Sequence, residues 1–261
     1  MIDIHTHILP GVDDGAQTLE ASLDMVRAAA AEGISVLIAT PHHANGRDYN
    51  EAGFVREQVA LLNESIQAAQ IQLRIAAGQE VRLYNNLLDD LEAGKLQTLD
   101  DSRYLLVELP SSRVPRELPD VVYELLLMGI VPIIAHPERN AEIAAKPETM
   151  QQLVDQGALG QVTTHSLLGT FGKKIQKSSF DLCRQNLIHF VSSDAHNLTH
   201  RPFLLQDAYG KVAVELGEGY VAYYKDNASR ILSNQPVEAP HVEMANAKAS
   251  GFMRKVRSWF S

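Results

Sequence analysis

Ile2-Asp3-Ile4-His5-Thr6-His7 opens the chain with a short β-branched run that ends on two histidines. On a strand, side chains two apart share a face, so His5 and His7 can present both imidazoles to one cation. Taken alone, the pair equally describes two hydrogen-bonded core histidines. The arrangement recurs, however. Later apolar runs end on Pro41-His42-His43, Gly78-Gln79-Glu80, Val107-Glu108, Ala135-His136-Pro137-Glu138-Arg139 and Ser193-Asp194-Ala195-His196. The strand ends of an α/β barrel converge in space, so nitrogen and oxygen ligands taken from many successive strands read as a multinuclear hydrolytic site.

Seven short β-branched runs read as strands, at residues 2–5, 35–39, 72–76, 104–109, 130–135, 159–163 and 188–192. Helical periodicity falls between them, at 19–32, 51–70, 118–128, 147–156, 171–185 and 203–216, with Gly33, Gly129 and Gly157 where C-terminal caps belong. Such alternation predicts an α/β fold, a parallel barrel with right-handed crossovers and its functional loops on the C-terminal face. No internal repeat is visible.

The totals agree with one large domain. The chain has 261 residues, 45% of them hydrophobic, enough for a substantial core. No apolar run approaches the roughly 20 residues of a membrane span, and the first strand starts at once, without room for a signal peptide; a cytoplasmic protein is expected. The single Cys183 excludes a disulfide framework and a thiolate zinc cluster. A formal charge of -9 argues against general nucleic-acid binding. Composition shifts after Asn234, which gives a domain over residues 1–234 and a linker with a short basic tail over 235–261. Phe252, Val256, Trp259 and Phe260 share one helical face of that tail, beside Arg254, Lys255 and Arg257. A terminal helix packed on protein is the first reading of it, and contact with a membrane surface the second.

Of the ten histidines, His5, His7, His42, His136 and His196 belong to the constellation. His165, His189, His200 and His241 read as surface or loop residues, and His43 stays ambiguous. Asp13-Asp14-Gly15 reads first as a turn, although either carboxylate can serve as an oxygen ligand beside His5 and His7. Mixed imidazole and carboxylate donors suit Mn²⁺, Fe²⁺ or Zn²⁺ better than Ca²⁺. Arg139 and Arg201 follow ligand candidates closely, either as surface ion-pair partners or as binders of phosphate oxygens. Next to metals, guanidinium groups favour a phosphoester over an amide. A thiolate phosphatase is excluded, because the sixth position after Cys183 is His189 rather than an arginine, and no GxxxxGK[ST] loop is present.

The ordered motifs MIDIHTHILPGVDDGA, TPHH, GQEV, DSRYLLVELP, IIAHPERN and SSDAHN resemble the polymerase and histidinol phosphatase (PHP) superfamily of metal-dependent hydrolases. Within it they resemble the CpsB/CapC/YwqE-type bacterial protein-tyrosine phosphatases over about residues 1–235. The resemblance implies a distorted (β/α)7 TIM-like barrel with three divalent metal ions, manganese first and iron or zinc as alternatives. It implies His5, His7, Glu80 and Asp194 at one metal, Glu80, Glu108 and His136 at a second, and Asp14, His42 and His196 at a third. Asp14 is preferred to Asp13 on that alignment alone, and Arg139 and Arg201 match phosphate-binding positions.

The implied activity is hydrolysis of phosphotyrosine by a metal-bridging hydroxide, with His43 the one candidate for a general acid. The implied substrate is a bacterial tyrosine kinase with a Tyr-rich tail that controls capsule or exopolysaccharide synthesis, and membrane contact would come only through residues 235–261 or that kinase. A small-molecule phosphatase of histidinol-phosphate type and a non-catalytic, metal-stabilised scaffold are the alternatives.

Overall fold

The computed structural model describes residues 1–237. The predicted tail and His241 lie outside the described residues. Nine short parallel strands appear: β1 Ile2–Thr6, β2 Val36–Ala39, β3 His42–His43, β4 Arg74–Ala77, β5 Glu80–Arg82, β6 Tyr104–Glu108, β7 Val131–Ala135, β8 Leu159–Thr163 and β9 Phe190–Ser192. They form two ladders, β1-β2-β4 and β3-β5-β6-β7-β8-β9.

The nine segments occupy seven strand positions. β2 runs on into β3 across Thr40-Pro41, and β4 into β5 across Gly78-Gln79. Pro41 has no N–H to give a ladder, which accounts for the first interruption. At the second, a Cβ on Gly78 would lie 2.8 Å from both Ile38 Cγ2 and Leu99 Cδ2, so the backbone passes too close for a side chain. Glu80 N–H bonds Pro41 O at 3.1 Å across the break. The free edges meet through a parallel bridge from Thr6 to Ala195, with Asp194 N–H on His5 O at 2.9 Å and His7 N–H on Ala195 O at 2.8 Å. The expected distorted seven-position barrel is the fold.

Alternation along the strands splits the core into two layers. Ile4, Ile38, Ala76, Leu106, Ile133 and Phe190 come from strand after strand and fill the ring. Leu37, Ile75, Leu105, Ile134, Val162 and Val191 join a second cluster with helix residues such as Met25, Leu62, Val122 and Leu153. The six anticipated helices appear as Leu19–Ala31, Ala52–Ala68, Leu118–Leu127, Glu148–Gln156, Lys173–Arg184 and Leu205–Leu216, and Gly33, Gly129 and Gly157 all have positive φ just past a helix end.

Four helices escaped the sequence reading: Leu87–Glu92, Ala141–Ala145, Thr164–Leu168 and Glu218–Leu232. The last matters most. It adds Ala228 and Ile231 to the inner cluster and buries Tyr220 and Tyr224, closing the core away from the strand ends that carry the histidines. No described helix is long and apolar enough to cross a membrane.

Candidate active site

His5 and His7 lie at the end of β1, where its register against β2 shifts between Asp3 and Thr6. Their Nε2 atoms are 3.3 Å apart. Glu80 Oε2 lies 3.3 Å from each of them, and Asp194 Oδ1 lies 3.4 Å from His5 Nε2 and 3.3 Å from His7 Nε2. A first-row divalent cation, with bonds of roughly 2.0–2.2 Å, holds neighbouring donors about 3 Å apart. The four atoms therefore have the spacing of one coordination shell.

The ligand atoms are aimed by partners behind them. His7 Nδ1 is 2.6 Å from Asp13 Oδ2, and His5 Nδ1 is 3.0 Å from Gln161 Oε1. Carboxylate and amide supports of this kind fix the tautomer and turn Nε2 forward. Burial opposes a charge on His7, but Asp13, Asp194 and Glu80 outweigh it and hold its imidazole well above the ordinary histidine value. Burial likewise works to raise the Glu80 and Asp194 carboxyls. His5, His42 and His136 overcome it at Glu80; His5, Arg139 and Arg201 do so at Asp194; both stay well below the usual range.

Glu80 is the centre of the cluster. β3 and β5 pair His42 directly with Glu80, so His42 Nδ1 is 3.0 Å from Oε2, while His136 Nε2 is 2.8 Å from Oε1. Glu80 Oε2 and His42 Nδ1 are nevertheless buried without a hydrogen bond. Leaving such atoms unpaired costs about 1–3 kcal/mol each, so a buried oxygen ringed by three imidazoles fits a cation between them. Groups whose ligand atoms lie within 4.8 Å of one another are His5, His7 and Glu80; His7, Asp14, His42 and His196; and His42, Glu80 and Glu108.

The grouping differs from the expected sets in detail. His42 also stands with Glu80 and Glu108, His136 keeps its contact with Glu80 Oε1 at 2.8 Å, and His7 joins Asp14, His42 and His196. Glu108 also pairs with Arg82 at 2.9 Å, because β5 and β6 place the two side by side. Asp13 and Asp14 divide their work clearly. Asp13 is buried and accepts from His7, Gly15 N–H and His42 N–H. Asp14 is half exposed, with Oδ1 3.2 Å from His196 Nε2 and 3.5 Å from His42 Nε2.

Backbone strain is concentrated here. His136 (φ 34°) and Asp194 (φ 55°) both take left-handed conformations without being glycine. Such residues cost on the order of 1–3 kcal/mol and persist where the surroundings hold them, as strand-end contacts do here.

Arg139 and Arg201 converge on the far side of Asp194. Arg139 Nη1 donates to Asp194 Oδ2 at 2.7 Å and Nη2 to Thr163 Oγ1 at 2.9 Å. Arg201 also donates to Asp194 Oδ2, and its Nη1 lies 2.9 Å from His196 Nε2. Each keeps a buried Nε–H without a partner. Both arginines line a cavity of about 150 Å³ together with His42, Glu80, Glu108, His136 and Asp194. Two guanidinium groups and the ligand candidates thus share one space.

Three histidines need correction. His165 and His189, expected at the surface, are 1% and 4% exposed. His189 fills a slot between β8 and β9, where its Nδ1 accepts Gly160 N–H at 3.1 Å, and burial pushes its pKa down to about 4. His43 faces inward, with Nδ1 2.9 Å from Asn50 O and its ring near Tyr49 and Tyr84, outside the cavity lining. Gln161 and Thr163 went unnoticed; a polar side chain at 161, flanked by glycine and valine on a buried strand, was the available signal.

The capsular polysaccharide synthesis family CpsB/CapC matches residues 1–233. The chain belongs to the CpsB/CapC family. It is 43% identical to the tyrosine-protein phosphatase YwqE of Bacillus subtilis across 97% of this chain and 100% of that protein. It is 35% identical to the putative tyrosine-protein phosphatase CapC of Staphylococcus aureus across 91% and 93% of the two chains. A solved structure described as YwqE and CpsB, "unique metal-dependent tyrosine phosphatases", superposes with a TM-score of 0.89 at 44% identity, covering 92% of this chain and 98% of that one. A β-aspartyl dipeptidase from Fervidobacterium islandicum AW-1 shares the fold alone, with a TM-score of 0.52 at 10% identity. The CpsB/CapC chain described above thus places its candidate donors in the same kind of barrel as enzymes named for metal dependence.

Proposed function

We propose that this chain is a metal-dependent protein-tyrosine phosphatase. In this reading His5, His7, Asp14, His42, Glu80, Glu108, His136, Asp194 and His196 hold three divalent cations, manganese first and iron or zinc as alternatives, and Arg139 and Arg201 bind the phosphoryl group. The observation that carries it is Glu80, a buried carboxylate within 3.3 Å of imidazole nitrogens from His5, His7, His42 and His136.

Divalent cations, when bound, acidify water and polarise phosphoryl oxygens at neutral pH. The protein supplies the rest. Asp13 and Gln161 hold His7 and His5 in orientation, and Glu80 offers one oxygen to each side of the cluster. Arg139 and Arg201 are placed to donate to the equatorial phosphoryl oxygens as charge builds in an in-line displacement. A tyrosine leaving group, with a conjugate-acid pKa near 10, needs little protonation, so His43 turned away from the cavity is no obstacle.

The proposed substrate is a phosphotyrosine protein, a bacterial tyrosine kinase with a Tyr-rich tail, acting in capsule or exopolysaccharide synthesis from the cytoplasm. Support comes from the capsular polysaccharide description of the matching family. The test is hydrolysis of a phosphotyrosine peptide, p-nitrophenyl phosphate and histidinol phosphate by metal-stripped and Mn²⁺-loaded protein. Metal-dependent turnover of the aryl esters is expected; preference for histidinol phosphate, or full activity after stripping, refutes the reading.

A further inference from the structure

Phe171 and Ile175 lie in and after the turn between helix Thr164–Leu168 and helix Lys173–Arg184, at the C-terminal end of β8. The two half-buried apolar side chains line a shallow groove whose other walls are Arg139 and Arg201. The same two arginines line the cavity that holds Glu80 and Asp194. Groove and cavity are therefore neighbours with a shared guanidinium wall, the cavity side polar and the groove side apolar.

Phe171 packs against two groups. The Arg139 guanidinium carbon stands 4.6 Å from its ring centre, and the buried His165 ring lies 5.7 Å away at 32°. His165 is suited to that role as a neutral group, since burial first, then Arg139 and Arg201, lower its pKa.

We infer that Phe171 and Ile175 form the wall that receives the aromatic ring of the phosphotyrosine, and so set the preference for aryl over alkyl phosphates. This deepens the phosphatase reading and rests on it. The occupant follows from the two walls: an ester held by the guanidinium groups of Arg139 and Arg201, which line both spaces, has its phosphoryl end in the polar cavity and its substituent in the groove. A flat ring can pack beside Phe171 there, and an aromatic pair gains from offset or edge contact beyond simple burial. A short alkyl substituent cannot cover that wall. Phe171 is a specificity residue here, touching the substrate's ring rather than the reacting atoms.

The test uses the Mn²⁺-loaded protein, its Phe171→Ala, Phe171→Tyr and Ile175→Ala variants, and two readouts. The first is kcat and KM on a phosphotyrosine peptide and on β-glycerophosphate. The second is calorimetric binding of phenylphosphonate and methylphosphonate, which needs no turnover. The expected result is that Phe171→Ala lowers the aryl-to-alkyl ratio of kcat/KM about tenfold through KM, and lowers the phenyl-to-methyl binding ratio alike. Phe171→Tyr restores both ratios. Equal losses on both esters and both phosphonates would mean that Phe171 only braces Arg139, and that overturns the inference, as does an unchanged ratio. If the loaded wild type cleaves neither ester, the phosphatase reading fails, and the phosphonate ratio alone then decides for or against the aromatic wall.

Discussion

Asp13 Oδ2 lies 2.6 Å from Nδ1 of His7, and through that contact a residue outside the ligand set governs one inside it. Its other oxygen accepts Gly15 N–H at 2.9 Å, so both oxygens are occupied as acceptors. Asp13→Asn puts an amide N–H₂ against a donor whichever way it turns. The expected outcome is a loss of roughly 10- to 100-fold in metal affinity with the fold retained, read by titration calorimetry and circular dichroism. Wild-type affinity in the variant would show that His7 needs no such support.

Gly15 fixes the other side of the same residue. A Cβ there would sit 2.0 Å from His7 O and 2.6 Å from His7 Cβ. Gly15→Ala must displace the β1 end, so it is expected to lose metal binding and about 1–3 kcal/mol of stability in urea unfolding. Gly210, inside helix Leu205–Leu216, meets nothing within 4 Å, and Gly210→Ala should stabilise by about 0.5–1 kcal/mol instead. The two variants changing stability in the same direction would contradict this account.

Arg139 reaches Asp194 through Oδ2, whereas Oδ1 faces His5 and His7. On the proposed roles, Arg139→Ala leaves the Asp194 oxygen that faces the histidines in place while removing the proposed phosphoryl donor. Metal content by elemental analysis should stay at the wild-type level, and kcat/KM on a phosphotyrosine peptide should fall roughly 10²–10³-fold. Joint loss of metal and activity would assign the residue to holding Asp194 rather than to the substrate.

His189 supplies a pH dependence away from the site. Its folded pKa of about 4 lies below the ordinary value of 6.5, so the unfolded chain binds the extra proton between those limits. Stability is full above pH 6.5 and falls as pH drops toward 4, by about 2 kcal/mol between pH 7 and pH 5. His189→Asn, whose Oδ1 can still accept Gly160 N–H, should remove that share of the slope in urea titrations at the two pH values. Identical slopes in both proteins would place the acid sensitivity elsewhere.

The strands were legible because each runs as a short apolar stretch between helical patterns, and all but the one at 159–163 lead into a ligand candidate. β3 and β5 were not separately visible, since two or three residues beyond Pro41 and Gly78 have no periodicity to read. Helix Glu218–Leu232 was missed because its buried face mixes Tyr220, Tyr223, Tyr224 and Asn227 with Val221, Ala228 and Ile231, so aliphatic residues alone do not trace its helical spacing. The ligand candidates were legible as types at strand ends. Their supports were not: Asp13 behind His7, Gln161 behind His5 and Thr163 under Arg139 depend on three-dimensional neighbours 6, 156 and 24 residues away. His165 and His189 looked like loop residues because nothing local marks a histidine buried by a neighbouring helix or strand.

The central claim is that one strand-end cluster, organised by Glu80, binds several divalent cations. Its most direct test is metal stoichiometry of the wild type and Glu80→Gln after Mn²⁺ loading and desalting, by elemental analysis. About three ions per chain in the wild type and no more than about one in the variant are predicted, since Glu80 stands between neighbouring groups of donors. Equal stoichiometry in the two proteins, or a wild type that retains no ion, would contradict the account.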